Sequence, residues 1–340
     1  MEKHKVVIIG AGPGGLRCAK ILAEKGLEVV LLEKEKEIKR KICAGLWFIN
    51  RRASDLNLPD DIFQKKFDRI FFKTRREEFY FRYSKPFITT LSREKLNEWL
   101  LKQAINKGAQ VRFNSSVTEV NKDYVIANGQ KIYFDYLIGA DGSNSIVRRF
   151  LKLKTEIVAV ALQYWVPGDY KELEIHFDSK RFGSWYAWKA PHNGLMSVGS
   201  GGFPQKMTKD INLKDNLINW CKENNLEIQG LNLEGAILNA DYRGFKFNNI
   251  YLVGDAAGLV SELTGEGIYF AIASGEDVAK MIINNKHKPI LINNILKIRR
   301  KHKIILKMFY LNKYFNEAIY SLSFNLLKIK FFKNLFIELI

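Results

Sequence analysis

The sequence predicts an α/β fold: a parallel-sheet domain with an inserted antiparallel-sheet domain, followed by a helical C-terminal region. Residues 6–9 form a short apolar run that leads into a glycine-rich turn and a helical pattern, which is typical of a parallel strand buried on both faces. In residues 67–90, aromatic and β-branched residues alternate with charged ones, which predicts antiparallel strands with one solvent-exposed face. The last fifty residues follow a helical pattern.

The composition indicates a large globular protein with a strong positive charge. The chain has 340 residues, 47% of them hydrophobic, which is enough for one large domain or two intertwined domains. The formal net charge is +18, and residues 280–340 carry eleven Lys and two Arg against two Glu. This charge indicates an anionic partner such as a membrane surface or a phosphorylated substrate. We expect no nucleic-acid binding, because no motif for it accompanies the charge.

The cysteine content favours a reducing compartment. The sequence has three cysteines, Cys18, Cys43 and Cys221, and this small, odd number argues against a disulfide framework. We also expect no metal site. No cleavable targeting signal is visible, and no uncharged apolar run reaches the roughly 18 residues that span a bilayer. The sequence therefore predicts a cytoplasmic protein.

The first of three glycine motifs joins the first strand to the first helix. Gly10, Gly12 and Gly15 have the G-x-G-x-x-G spacing of a turn whose backbone approaches a pyrophosphate at a helix N-terminus. Glu33 follows the second strand, at residues 28–32, where a carboxylate can accept hydrogen bonds from a ribose diol. An ordinary tight turn is the alternative for the glycines alone, but strand, turn, helix and acid together predict a dinucleotide site.

The second motif lies in residues 134–151. A strand leads into Asp141 and its flanking glycines, and a helix starts near Ser145. The alternative interpretation is a strand followed by an ordinary capped helix.

The third motif lies between a strand near residue 250 and a helix that we expect over residues 265–284. Gly254 and Asp255 follow the strand, and Gly265 and Gly267 lie in a later loop. An Asp at such a turn can hold ribityl hydroxyls, and the glycine loop can present backbone N–H groups to the electron-rich side of a flavin ring.

In this order, the three motifs resemble the flavoprotein monooxygenase and reductase superfamily. The resemblance covers roughly residues 5–285 and implies a Rossmann-like FAD-binding domain of the glutathione-reductase type, with FAD as the cofactor. It also implies that Arg93, at the start of a helix capped by Ser92, contacts FAD. A solvated residue at a helix start fits the sequence equally well.

The resemblance leads to a division into three parts. Residues 1–62, 91–155 and 244–288 are assigned to a discontinuous FAD-binding domain, and residues 63–90 and 156–243 to the antiparallel-sheet substrate domain. Residues 289–340 form the helical, basic C-terminal part.

An aromatic segment indicates a particular branch of this superfamily. Tyr186, Trp188 and Pro191 resemble the Y-x-W-x-F-P signature of the geranylgeranyl reductase family, with Ala190 where that family usually has Phe. The resemblance implies reduction of C=C bonds in isoprenoid chains, including those of membrane lipids and their precursors. Tyr186 and Trp188 would then form the wall of a substrate channel, whereas a hairpin core is the structural alternative.

Cys43 lies in a loop that partly matches the corresponding loop of that family, where a Cys precedes glycines. Neighbouring basic residues at 39–41 would favour its thiolate, whereas an inert packed thiol is the alternative. Cys43 and Tyr186 are the candidates for proton donor or organiser of the reaction. His176 and His192 are further alternatives for this role.

These features predict an FAD-dependent reductase of geranylgeranyl chains in a membrane lipid or lipid precursor. An aromatic monooxygenase of the same fold and a flavoprotein that passes electrons to quinone remain as alternatives. The electron donor is left open between NAD(P)H, ferredoxin and a reduced quinone.

The C-terminal segment combines aliphatic, aromatic and basic residues with almost no acids. Helices of this composition can lie flat on an anionic membrane, here at its inner face. A helical cap that packs on the FAD domain and exposes a solvated basic face is the alternative.

Overall fold

The predicted fold class is confirmed by a computed structural model, which describes residues 1–38, 42–50, 56–206, 211–311 and 316–339. The strands are β1 (Glu2–Ile9), β2 (Val29–Leu32), β3 (Leu46–Phe48), β4 (Phe63–Phe67), β5 (Arg69–Lys73), β6 (Glu78–Arg82), β7 (Ile88–Leu91), β8 (Gln110–Arg112), β9 (Val117–Val120), β10 (Tyr124–Ala127), β11 (Gln130–Gly139), β12 (Val158–Pro167), β13 (Glu174–Phe177), β14 (Tyr186–Pro191), β15 (Leu195–Gly202), β16 (Glu234–Asn239), β17 (Lys246–Phe247) and β18 (Ile250–Leu252). The helices are α1 (Pro13–Glu24), α2 (Arg93–Asn106), α3 (Ile146–Phe150), α4 (Ser179–Phe182), α5 (Leu213–Glu223), α6 (Ile268–Ile283), α7 (Ile290–Leu311), α8 (Asn316–Leu327) and α9 (Lys330–Leu339).

An eight-stranded sheet with a parallel centre forms the core of the cofactor domain. Its strand order is β17-β18-β11-β1-β2-β8, and β10 and β9 extend it beside β11. β1 lies between β11 and β2 and is parallel to both, and β18 and β8 continue the parallel arrangement. The residues of β1 from Val6 onward are buried, as expected for a strand covered on both faces. The carboxyl ends of β1, β11 and β18 therefore meet at one edge, and a glycine motif follows each of them.

Glycines allow the backbone segments at this edge to approach each other closely. Gly10 has φ +101°, and a Cβ there would lie 2.5 Å from the carbonyl oxygen of Ala140. α1 packs against α6 so closely that a Cβ on Gly275 would overlap the backbone oxygen of Gly14. This contact holds the first and third motifs together.

A seven-stranded sheet lies in the second domain, in the order β16-β12-β15-β14-β13-β5-β6. All its pairs are antiparallel except β13 with β5. The hairpin of β5 and β6 confirms the antiparallel strands predicted from the alternating pattern. β4 and β7, at the ends of that segment, pair with each other instead, and β7 also pairs with β3, in a separate three-stranded antiparallel sheet.

One helix start differs from the sequence prediction and two helix caps are clear. α5 begins at Leu213, where the side chain of Asn212 accepts a hydrogen bond from the backbone N–H of Asp215 and caps the helix. α6 begins at Ile268 rather than Gly265, because Gly265 has φ +68° and belongs to a closed turn that precedes the helix. The cap of α2 agrees with the prediction, since the side chain of Ser92 accepts from Lys95 N.

The helices after residue 289 are divided between the two domains. α7 packs on α6, and its N-terminal N–H at Ile292 donates to Asp277 Oδ2 over 2.8 Å. α8 and α9 cover the seven-stranded sheet through aromatic pairs, among them Phe324 with Phe79 at 5.3 Å between ring centroids. Within the described ranges, none of the helices combines the length and apolarity that crossing a bilayer requires.

The α1–α6 contact predicts an unusual response to a glycine substitution. Helix propensity alone would make Gly275→Ala stabilising by about 1 kcal/mol. Because the added Cβ would overlap the Gly14 carbonyl, we expect the substitution instead to lower the free energy of unfolding by about 1–3 kcal/mol. Urea unfolding of the FAD-loaded protein measures this change.

Gly235→Ala is the matched control, because a Cβ there meets the end of the flexible Leu162 side chain at 3.3 Å and the Ala161 carbonyl oxygen at 3.9 Å, which is ordinary van der Waals contact. Its unfolding free energy should change little. Equal or greater stability of the Gly275→Ala protein would contradict the close packing of α1 on α6.

Candidate active site

The first glycine motif forms one end of a large cavity. Gly10, Gly12 and Gly14 line it at the N-terminus of α1. A Cβ at Gly12 would have one protein atom within 4 Å, the Ala140 carbonyl oxygen at 3.7 Å, so the space in front of the helix is open. Backbone N–H groups and the helix dipole favour an anion at this position.

Glu33 lies beside this turn, as the sequence predicts for a ribose-binding carboxylate. It is buried at the end of β2, and its Oε2 accepts a hydrogen bond from Ala11 N over 2.7 Å. Its Oε1 accepts from Glu35 N over 3.1 Å. Since each carboxylate oxygen can accept a second bond, Glu33 has capacity left for ligand hydroxyls.

Arg93 is the clearest sign of an anionic ligand. The side chain is buried and lines the cavity, and its Nε and Nη1 atoms have no hydrogen-bond partner among the described residues. Burial lowers the pKa of Arg93, and the nearby Cys43 and Asp255 groups oppose that shift. Because unpaired buried donors are costly, a ligand with anionic or carbonyl oxygens suits this position.

Asp255 follows β18 and also lines the cavity. Ser143 Oγ donates to its Oδ2 over 3.0 Å, and burial raises the pKa of the carboxyl group. Gly254 takes φ +55°, and its N–H donates to Ser274 Oγ of α6 over 2.9 Å. The turn is therefore fixed from both sides and presents its carboxyl group to the cavity.

The two carboxylate oxygens of Asp141 have different surroundings. Its Oδ2 accepts from the N–H groups of Ile146 and Val147 at the start of α3, at 2.6 and 3.4 Å. Its Oδ1 is buried without a partner among the described residues, and the residue lines the cavity. Desolvation raises the pKa of this carboxyl group.

These features together fit FAD. The open helix N-terminus suits the pyrophosphate, Glu33 suits the ribose diol, and Asp255 suits the ribityl chain. Gly265 and Gly267 line the cavity in the loop after β18, as expected for residues beside the flavin ring. The unpaired donors of Arg93 face the same space. All the predicted cofactor residues except Gly15 therefore line one cavity. A Cβ on Gly15 would overlap the Gly10 carbonyl oxygen, so this glycine allows the turn to pack closely instead of lining the cavity.

The aromatic segment forms part of the opposite wall. Tyr186 and Trp188 both line the cavity from β14. Tyr186 donates from its OH to the Thr264 carbonyl over 2.8 Å, and burial raises the pKa of its phenol. Trp188 donates from Nε1 to Ser197 Oγ over 3.0 Å. Both polar ends are satisfied, so the rings offer apolar surface to the cavity.

Cys43 lines the same cavity and is half-buried. Its Sγ accepts from Gly45 N at 3.3 Å, and the neighbouring Ala44 carbonyl lies 2.9 Å from His192 Nε2. The basic residues at 39–41, on which the predicted thiolate depends, lie outside the described residues. Cys18 and Cys221 are buried in the core, where desolvation raises the pKa of each thiol, to about 12 for Cys221.

The two histidine alternatives lie outside the cavity lining. His176 Nε2 lies 2.7 Å from Glu174 Oε2, and its Nδ1 accepts a hydrogen bond from Trp220 Nε1 over 3.3 Å. His192 contacts the Cys43 loop from the turn after β14. Their contacts are those of buried structural side chains.

The cavity has a volume of about 1410 Å³ and two chemically distinct halves. In the described part of the chain, every charged residue that lines the cavity belongs to the cofactor segments: Glu33, Lys34, Arg93, Asp141, Arg149, Asp255 and Glu266. The lining residues from the seven-stranded sheet, α8 and α9 carry no charge. We call this second part the apolar half.

Sequence reasoning missed the contribution of the C-terminal helices to this cavity. Tyr320 and Phe324 of α8 and Phe336 of α9 line the apolar half. Tyr320 stacks on Phe177 at 4.8 Å between ring centroids. Tyr320 and Phe324 are four residues apart in the sequence, and this spacing predicts that both side chains lie on one buried face of a helix.

Comparison with known proteins agrees with this geometry. A family model described as FAD binding domain matches residues 3–285. An uncharacterized protein of Methanosarcina barkeri is 29% identical, over 96% of this chain and 87% of that protein. A geranylgeranyl diphosphate reductase of Rhodobacter capsulatus is 27% identical, over 82% of this chain and 74% of that protein.

Two thermoplasmas provide further similar proteins. A digeranylgeranylglycerophospholipid reductase of Thermoplasma volcanium is 27% identical, over 89% of this chain and 86% of that protein. The crystal structure of a geranylgeranyl bacteriochlorophyll reductase-like protein of Thermoplasma acidophilum has the same fold, with a TM-score of 0.79. It is 22% identical, and the match covers 96% of this chain and 92% of that one. The chain belongs to the FAD binding domain family, and it is an FAD-dependent oxidoreductase whose homologues include geranylgeranyl reductases.

Proposed function

We propose that the protein saturates carbon–carbon double bonds in geranylgeranyl chains of a membrane lipid or lipid precursor. The uncharged, aromatic-lined half of the cavity, which continues directly from the cofactor half, is the observation that carries this proposal. An isoprenoid chain has no polar handle, so shape and apolar contact must position it. The names of the similar reductases support the same substrate class.

The residues of the apolar half would exclude water and hold the alkene beside the cofactor. When bound, reduced FAD supplies the two electrons that saturation of a double bond requires. Phe72, Phe177 and Phe324 pack together in this wall, with ring centroids 5.8–6.5 Å apart. Such a wall stabilises an extended hydrocarbon chain and keeps the reacting carbon dry.

The contacts favour different roles for the two candidate catalytic residues. The Tyr186 proton is held in a hydrogen bond to the Thr264 carbonyl, and burial raises the phenol pKa, which suits an organiser. Cys43 Sγ lies in the cavity wall and accepts a hydrogen bond from Gly45 N. Its S–H proton is therefore available for the second alkene carbon, which makes Cys43 the proton donor of this proposal.

The charge distribution favours a position of the polar head group outside the apolar half. A phosphate inside it would face no cation among the described lining residues, and burying an unpaired charge is prohibitive. Leu335 of α9 lines the cavity and is 44% exposed, so the apolar half reaches the surface there. Lys328 and Lys330 are exposed and Lys333 is half-buried on the same two-helix unit, and these lysines can pair with a head group.

Mass spectrometry tests the proposed activity directly. We expect the dithionite-reduced, FAD-loaded protein to add two hydrogen atoms per double bond to geranylgeranyl diphosphate or to geranylgeranylated glycerol phosphates. Gain of oxygen in air would identify a monooxygenase instead. Quinone reduction with no mass change in either isoprenoid would identify an electron carrier and contradict the proposal.

A second prediction concerns a bulky side chain that projects from α8 into the apolar half. Ser323 lines the cavity, and its hydroxyl donates within the helix to the Ile319 carbonyl over 2.7 Å. We expect Ser323→Trp to reduce isoprenoid turnover at least about tenfold, because an indole occupies the space of the chain. FAD content, measured from flavin absorbance, should stay unchanged because Ser323 lies in the apolar half.

Asn325→Trp is the matched control, since Asn325 is exposed on the same helix. Turnover by this variant should equal that of the parent. Full turnover by Ser323→Trp would show that the substrate chain does not occupy the space beside α8.

We further propose that α8 and α9 contact the inner face of an anionic membrane. Large apolar side chains are exposed on this unit: Leu322 (60%), Ile329 (52%), Phe331 (69%) and Leu335 (44%). The three lysines at 328, 330 and 333 lie among them, against Glu338 as the acidic residue of α9. Apolar insertion and attraction to anionic lipid, about 1 kcal/mol per basic residue, act together in such a surface.

Vesicle sedimentation tests this contact. We expect binding to vesicles that contain phosphatidylglycerol and much weaker binding to pure phosphatidylcholine. Phe331→Asp should lower the bound fraction several-fold, whereas Ile105→Asp, at a 50% exposed position of α2, should not. Equal binding by both variants and the parent would contradict a role for α8 and α9.

A further inference from the structure

The loop from Ser261 to Gly267 lies between the cofactor half and the apolar half of the cavity. Leu263, Thr264 and Gly265 line the cavity, whereas Ser261 faces away from it. We call this segment the 261–267 loop. The N–H groups of Ser261, Leu263, Thr264, Gly265 and Glu266 all donate within the loop. These internal bonds hold the loop in one conformation, and the surface that it presents to FAD depends on that conformation.

Ser261 organises the loop from its buried side. Its Oγ accepts from Leu263 N at 3.2 Å and from Thr264 N at 3.1 Å. Its backbone N–H donates to the Glu266 carbonyl over 3.0 Å, which closes the turn. A single serine therefore determines the position of both ends of the loop.

Helix α7 reaches this serine. His302 is buried, and its Nδ1 lies 2.8 Å from Ser261 Oγ. Because Ser261 Oγ already accepts two N–H groups, its own hydrogen is directed to Nδ1, and His302 is the acceptor of this bond. The imidazole is then the tautomer with its hydrogen on Nε2.

Arg299, one turn earlier on α7, holds the segment just before the loop. Its Nε donates to the Val260 carbonyl over 3.1 Å, and its Nη2 donates to the Ala240 carbonyl over 2.6 Å. Neither Arg299 nor His302 lines the cavity. Both side chains can therefore act on FAD only through the loop.

We propose that His302, with Ser261 as its partner, is a positioning residue for FAD. α7 is thereby part of the cofactor site rather than a cap that only adds stability. The His302–Ser261 bond fixes the hydroxyl, the hydroxyl fixes the N–H groups of Leu263 and Thr264, and these fix the loop that lines the cavity. Loss of the imidazole acceptor leaves a buried hydroxyl free to rotate, which loosens this chain of contacts.

The test compares four variants in FAD binding and in the reduction potential of bound FAD. We expect His302→Leu and Ser261→Ala to weaken FAD affinity by about tenfold, as for one lost buried hydrogen bond, and to shift the potential. His302→Asn should keep the FAD affinity and the reduction potential of the parent, because the Asn amide oxygen can occupy the place of Nδ1 and accept from Ser261. Lys301→Ala, at an exposed position of the same helix, should match the parent.

FAD affinity and reduction potential are measured well below the unfolding temperature of each variant. Under this condition an effect on FAD positioning is distinguished from a loss of stability. If His302→Leu lowers only the unfolding temperature and leaves affinity and potential unchanged, the proposal is overturned. If His302→Leu does not fold, Ser261→Ala decides by the same two readouts. Neither readout involves an isoprenoid, so failure here leaves the proposed reductase activity untouched.

Discussion

The parallel contact of β1 with β11, and of β11 with β18, is the constraint on which the rest of the structure depends. It brings three turns that are far apart in the sequence to one edge of one sheet. The turns can share that edge only because their backbones approach closely, as at Gly10 against Ala140 and Gly14 against Gly275. A side chain at these positions would separate the strands' carboxyl ends, and the cofactor contacts would separate with them.

The cavity at this edge combines a charged environment and an apolar one, which suit different ligands. Its cofactor half concentrates buried charge, and Arg93 and Asp255 each favour the charged form of the other there. Its apolar half contains aromatic and aliphatic side chains whose polar ends are turned into the protein, as for Tyr186 and Trp188. Buried charge requires an opposite charge or hydrogen-bond partners, whereas a hydrocarbon chain is best placed away from charge. The 261–267 loop lies at the junction and contacts both parts.

The cofactor half could be predicted from the sequence because its signals are local. Gly10, Glu33 and Asp255 each follow a strand at a fixed spacing, and parallel strands bring such positions to a common edge. The apolar half was predicted only in part. Tyr186 and Trp188 belong to a motif, but the contacts of α8 with the sheet join residues more than a hundred positions apart, and no spacing encodes them.

The same limit explains what was missed in the 261–267 loop. Its glycines predict a flexible, ligand-facing turn, but its partners Trp185 and His302 come from two distant elements. The start of α6 was placed three residues too early for the same reason: the loop is closed by Ser261 and Glu266, a contact that helical periodicity does not reveal.

The wall contributed by α8 and α9 has an evolutionary consequence. These helices are the last elements of the described chain, and their lining residues Phe324, Leu327 and Phe336 belong to none of the cofactor motifs. Larger or smaller side chains there change the depth and width available to a guest molecule while leaving the flavin contacts as they are. Ligand preference in such a scaffold can therefore diverge through substitutions in these two helices, independently of the redox machinery.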